Sequence, residues 1–359
     1  MNPITAMTKH ILLPLLIGCA MHTQAQHARI VVQHAGNVLV YTDLEAAIIA
    51  APANSDLYLS GGTFLVPGGF ALDKTLHFIG AGINNDSTNA TGATILTTNG
   101  TAHFRLTSGA SGSSFTGIRF STPGSNNCLV FGTAQGDQSV VSVEFLRCAF
   151  NQRVMLGVQA PSEASSAFTE CIFHNLLNGY NGTAQFTRCI FDHQTGTGAE
   201  VSGFLDGGLT MLNCVGLGTR VGDSPGAMIA NCVFTRSSAP FWQSSGSTLL
   251  NNLLVSNELV INMSGHVHSG NILNVPVGAI FVSEGDGKYQ FSDDLHLQPG
   301  CPGVGAGNDG TDIGIFGTSS PFKVGMIPHT PHFRRVNVAP ATDANGDLPV
   351  QVKVAIQAN

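Results

Sequence analysis

Apolar residues in the middle of this chain recur neither at helical spacing nor in plain alternation, but as a block. Phe145-Leu146-Arg147-Cys148-Ala149-Phe150, Phe168-Thr169-Glu170-Cys171-Ile172-Phe173, Phe186-Thr187-Arg188-Cys189-Ile190-Phe191 and Ile229-Ala230-Asn231-Cys232-Val233-Phe234 share one pattern: apolar, two residues, Cys, any residue, Phe. Met211 to Gly216 is a degenerate copy around Cys214. Phe115 to Phe120 precedes the set and Leu249 to Leu254 follows it, with Ile118 and Asn252 in the Cys place, and Ser269 to Leu273 is a weaker last copy. From Cys148 the steps to Cys171, Cys189, Cys214 and Cys232 are 23, 18, 25 and 18 residues. A period near 20 residues belongs to a solenoid, one coil of short strands per repeat, and the Leu and Asn pattern of a leucine-rich repeat is absent.

Cys and the Phe two residues later lie on one face of a strand, whereas the apolar residue three before the Cys falls on the opposite parity. A tight bend between them lets both point inward. Stacked coils lie about 4.8 Å apart, so the pattern predicts an inward Cys column flanked by Phe columns. Parallel Cβ vectors suit disulfides poorly, which favours free buried thiols. The bend residue just before each Cys reads Arg147, Glu170, Arg188, Asn213, Asn231, Asn251. Asn tolerates left-handed backbone. The Arg-Glu-Arg run is expected on the surface, as solvated ladder pairs worth at most about 1 kcal/mol each.

Solenoid ends need atypical units. Thr42-Asp43-Leu44-Glu45 reads as a capping box for a short helix from Leu44 to Ala51, stopped by Pro52. Strand signals follow at Leu57 to Leu59 and Thr63-Phe64. With Leu72 to Gly82 after them, this order resembles the N-terminal start of pectin-lyase-like β-helix proteins, in which a short helix plugs the first coil. Leu295 to Gly307 and Asp309 to Gly317, with Cys301 in a usual Ser position, look like the closing segment of the same superfamily. The resemblance spans roughly residues 38 to 320 and implies an all-β fold: a single right-handed parallel β-helix (solenoid) with an N-terminal helical cap and a C-terminal capping segment. Its motifs are structural and imply no activity by themselves. The expected organisation is a signal peptide over 1–25, the capped β-helix over 26–320, and a tail over 321–359 that forms a capping hairpin or, alternatively, a sorting or partner segment.

The start of the chain changes the picture of where the protein works. Lys9, the apolar run from Ile11 to Ile17 and Thr23-Gln24-Ala25 read as an export signal cleaved after Ala25. The rival reading is a lipoprotein box ending at Cys19, giving a periplasmic or outer-membrane anchor in place of secretion. The apolar run is too short to span a bilayer. Only 10% of residues are charged, the net charge is -7, and no Lys occurs from Thr75 to Gly287. That argues against a nucleic-acid partner, which needs a basic stripe. The expected state is a monomer without a membrane span.

Enzymes of the resembled superfamily act on polysaccharides as lyases or glycoside hydrolases. A lyase would need a base and cations or Ca²⁺ to neutralise a uronate, so Ca²⁺ is implied only on that reading, and no other cofactor or metal is expected. The clustered Asp residues with a cation one coil away are missing, and of the polygalacturonase motifs only Asp293-Asp294 matches. The weak catalytic candidates are His174 and Asp192, each three residues after its Cys and so on adjacent coils, with His193, Glu170 and Arg188. An exposed polar turn is the plainer reading. His266 and His268 share a strand face but lack further metal ligands, and read as surface residues. The longer coils insert Ala160 to Ser166 and Thr195 to Ala199, flank loops of the kind through which solenoids bind. Two functions follow: an exported, non-catalytic binding or structural β-helix engaging a polysaccharide, or a divergent carbohydrate-active enzyme. An ice-binding surface would need a regular Thr-x-Thr ladder, which does not repeat.

Overall fold

A computed structural model describes residues 28–84, 92–194, 198–327, 332–339 and 341–355; the export signal, Cys19 and part of the 195–199 loop lie outside them. The chain is almost all β and winds into a solenoid of three long sheets. The first sheet has twelve strands, from Asn37–Tyr41 at one edge to Val267–Ser269 at the other. The second has nine, from Gly62–Val66 to Leu253–Leu254, and the third eight, from Phe104–Leu106 to Val260–Ile261. Within the coils the pairing is parallel, and in the first and second sheets it keeps register, so each block of the sequence lies on the next, Phe145 on Phe168 on Phe186; in the third sheet it slips once, between Asn127 and Leu129.

The expected bend is present. Arg147, Glu170, Arg188, Asn213, Asn231 and Asn251 all take positive φ, between 49° and 55°, and Gly117 and Gly270 hold the same place in the flanking coils. This left-handed residue turns the chain from the first sheet into the second and repairs the parity, so the apolar residue two before the bend and both Cys and Phe after it face the core. Two Phe columns result. Phe78, Phe115, Phe145, Phe168 and Phe186 stack at centroid spacings of 4.8 to 5.1 Å. Phe120, Phe150, Phe173 and Phe191 form the second column and meet the first edge to face. Gly216 interrupts the second column because the Phe234 ring lies 2.7 Å from where a Cβ would stand.

The Cys column lies between them, buried and unbridged. Each thiol sits at a carbonyl one coil back: Cys148 Sγ at Phe115 O (3.4 Å), Cys171 at Phe145 O (3.4 Å), Cys189 at Phe168 O (3.3 Å). Asn252 and Asn271 continue the ladder, their Nδ2 donating to Ile229 O (3.0 Å) and Leu249 O (2.8 Å). The core thus turns polar as the last coil approaches solvent, where His268 stands in register with buried Leu249.

At the other end the helix Leu44–Ala50 buries Leu44, Ala47 and Ile48. Its N-cap is Asp43, whose carboxylate accepts the Ala46 N–H at 2.7 Å, not the expected Thr42. The antiparallel strands Ile30–His34 and Asn37–Tyr41 before it escaped the sequence reading. Lys74 Nζ donates to Ile49 O and Ala51 O, closing the helix C-terminus with a cation.

The closing segment departs most from expectation in what it covers. The residue between Cys and Phe, read as indifferent, is Ala149, Ile172, Ile190, Val215, Val233 and Leu253, and it points out of the coil. These residues form a second core with Val275, Tyr289, Leu295, Cys301, Ile313, Ile315, Phe322 and Met326. Residues 303–327 therefore run as a strap back along the coils, beside the bend ladder. Asn251 Nδ2 donates to Ala306 O, Asn231 pairs with Asn308, Asn213 Nδ2 donates to Gly314 O, and Arg147 Nη1 donates to Ile327 O. The surface placement expected for the Arg-Glu-Arg run is thereby overturned: under the strap Arg147 is 1% and Glu170 2% exposed. The tail strands His332–Val338 and Val350–Ala355 pair with each other as an antiparallel hairpin.

Burial holds the thiols of Cys171, Cys189 and Cys232 well above the ordinary cysteine pKa, which suppresses the reactive thiolate. Cys128 is pushed up to about 12 by the same burial. Ellman's reagent at pH 8 should therefore leave these four thiols untouched in the native protein and titrate them only as guanidinium unfolds it. Rapid native labelling of Cys189 would show an open coil.

Candidate functional site

The five candidate residues divide into two groups at opposite ends of the short second-sheet strands. His174 and Asp192 each follow such a strand, on adjacent coils, and Asp192 N–H donates to Phe173 O at 3.1 Å. Glu170 and Arg188 precede their strands at the bend. His174 lies four positions after Glu170, so at most roughly 13 Å of chain separates the two groups.

In the first group Asp192 is buried and His174 is one-third exposed. The His174 Nδ1 lies 2.7 Å from Asp192 Oδ2. The same oxygen accepts the Tyr289 N–H at 3.0 Å, and Lys288 Nζ donates to the Asp192 carbonyl. Asp192 Oδ1 is buried with no hydrogen-bond partner among the described residues. A carboxylate on Nδ1 fixes the imidazole so that Nε2 is the free nitrogen, the arrangement of an oriented base. The N–H on that carboxylate and the ammonium on the Asp192 carbonyl, however, both come from the 288–289 turn, so Asp192 also fastens the closing segment to the coils. His193 beside it has a lowered pKa, from burial first and from Lys288 second, so near neutral pH it is the uncharged imidazole.

In the second group Glu170 bridges two cations: Arg147 Nε donates to Oε2 at 2.7 Å, and Arg188 Nη2 lies 3.3 Å from Oε1. Ser320 and Lys323 of the strap close over this triad and leave a cleft of about 260 Å³, lined also by Leu146 and Thr169. Sequence reading missed Arg147, Lys288, Tyr289 and Lys323 as members of these clusters. The apolar run Ala149, Ile172, Ile190, Val215, Val233, Leu253 was the available signal, because an outward column of that kind requires a covering layer.

A third feature lies on the outer face of the first sheet. Glu144, Ala167, Gln185 and Thr210, in register on successive strands, floor an open groove of about 410 Å³ walled by Ser142, Ser165, Thr183, Gly207 and Gly208. Its hydrogen-bonding lining contains a single titratable side chain, Glu144. The Ala160 to Ser166 loop is held by Gln138, whose Nε2 donates to Gln159 O and Pro161 O and whose Oε1 accepts the Val158 and Gln159 N–H groups. His266 and His268 stack at 5.4 Å in the last coil. Among the described residues no three His, Cys, Asp or Glu side chains gather as a metal site, and no helix is long and apolar enough to cross a membrane.

No family model matches the chain, and no curated protein matches it. The parallel β-solenoid fold and the geometry of these three sites carry the functional argument.

Removing the shared anion of the triad takes the carboxylate partner from two guanidinium groups beside the strap. Glu170→Gln should lower stability by roughly 3–5 kcal/mol in urea unfolding followed by circular dichroism; a loss below 1 kcal/mol would show that water already compensates the triad. A second test concerns His103, whose pKa is lowered to about 4 by burial first and by Arg105 second. The unfolded chain, with an ordinary His pKa near 6.5, binds the proton first. Its contribution is therefore present above about pH 6.5 and is lost as pH falls toward 4. The urea midpoint should drop across that window, and His103→Leu should flatten the drop.

Proposed function

We propose that this protein is an exported β-helix of the pectin-lyase-like kind that binds a polysaccharide along its flank and does not cleave it. The observation that carries this reading is the first-sheet groove. It offers hydroxyl, amide and backbone groups across four coils, suited to the hydroxyls of an extended glycan, and one carboxylate. Glycoside hydrolysis generally needs two carboxylates on opposite sides of the scissile bond, and elimination needs a base beside groups that neutralise a uronate. Neither set lines the groove. The closing segment covers much of the second sheet, whereas this groove lies open on the outer face of the first.

The second reading, a divergent carbohydrate-active enzyme, rests on the oriented His174–Asp192 pair. Against it, the pair's carboxylate also accepts from the closing segment, and no nucleophile or second acid is hydrogen-bonded to His174 among the described residues.

Ala167 points outward at the groove floor, so Ala167→Trp fills the groove without entering the core. On a panel of immobilised polysaccharides the wild-type mature chain should retain at least one glycan, and Ala167→Trp should lose it at an unchanged thermal midpoint. Ultraviolet absorbance should show no unsaturated uronate released. Product formation abolished by His174→Ala would overturn the non-catalytic reading; glycan retention unaffected by Ala167→Trp would move the site off this groove.

A further inference from the structure

We propose that the cleft between the strap and the bend ladder binds a compact oxyanion, a carboxylate or sulfate, as carried by an acidic saccharide. Three cations, Arg147, Arg188 and Lys323, surround one carboxylate, Glu170, whose two oxygens are both taken by the arginines. Among the residues that line the cleft, three cations stand beside one carboxylate, in a chain whose net charge is -7. Lys323 makes no ion pair with any described residue, and Arg188 keeps 14% of its side chain open. Thr169 and Ser320 add hydroxyl donors to the lining. A cavity of about 260 Å³ with a guanidinium, an ammonium and two hydroxyls suits a small anion with several acceptor oxygens. Only the folded strap creates it, since Lys323 is 135 residues from Arg188 in the sequence.

Position links this cleft to the groove. Leu146 and Thr169, which line it, lie two residues along the same strands from Glu144 and Ala167 on the groove floor, about 7 Å away on the same outward face. A glycan crossing the first sheet would bring an acidic substituent to the edge where the cleft opens. That saccharide identity rests on the glycan reading above, whereas the oxyanion site does not.

The experiment is titration calorimetry of the full mature chain with sodium glucuronate, sodium sulfate and glucose at low ionic strength. Glucuronate or sulfate should bind and glucose should not, the stronger of the two anions identifying the group, and added sodium chloride should weaken binding. Lys323→Gln should weaken the anion by about tenfold at an unchanged thermal midpoint, with Lys323→Arg restoring it. Equal affinity for wild type and Lys323→Gln, or absence of heat with both anions, would overturn the assignment. Ala167→Trp separates the two proposals: if it abolishes polysaccharide retention but leaves the free anion bound, both stand. Free-anion binding in a chain that retains no polysaccharide would remove the glycan reading alone.

Discussion

The structure depends on a left-handed residue at the corner between the first and second sheets of each coil. An L residue with a side chain resists φ near +50°, yet Arg147, Glu170, Arg188, Asn213, Asn231 and Asn251 all adopt it in successive coils. The return is geometric: the bend turns the chain through the corner between two sheets and resets the in–out alternation. Phe columns can then face the same core from both sides. Parallel pairing repeats the bend at each level, so its side chains form an outward ladder, and that ladder decides what the remaining chain can do.

The strap exploits the ladder. Where the bend residues are Asn, their amides bond the strap's backbone and Asn308. Where they are Arg, Glu and Arg, they meet under it as a buried ion triad. Burial changes the energetics of these charges: an exposed ladder pair contributes little, whereas a desolvated triad is costly to leave incomplete. Alongside the polar ladder, the Ala, Ile, Ile, Val, Val, Leu column supplies an apolar seam for Ile313, Ile315, Phe322 and Met326. Hydrophobic burial holds the strap on, and the polar ladder sets its register.

This arrangement also partitions the surface. The second sheet's outward face is committed to the closing segment, and the His174–Asp192 pair at its edge fastens that segment through Tyr289. The first sheet's outward face carries the hydrogen-bonding groove, with the cationic cleft at its margin. The candidate catalytic cluster is thus divided between a fastening point and an ionic cleft, neither of which resembles a two-carboxylate reaction centre.

Much of the fold was legible because it repeats. The block around each Cys specifies coil length, bend position and inward faces through short-range parity alone, and the left-handed bends and unbridged thiols follow it closely. The adjacency of His174 and Asp192 was legible for the same reason, since both occupy one offset from the Cys column. What the strap covers was not. Its contacts with Arg147, Glu170 and Arg188 join residues more than 130 positions apart, with no periodicity to set the register between them. Charges that local spacing assigns to solvent became buried because a distant apolar segment found the outward column. The sequence by itself determined the coil, a matter of repeated local geometry; tertiary structure alone decided which outward faces are covered and which charged side chains are buried, because those depend on how a non-repeating segment packs against the finished solenoid.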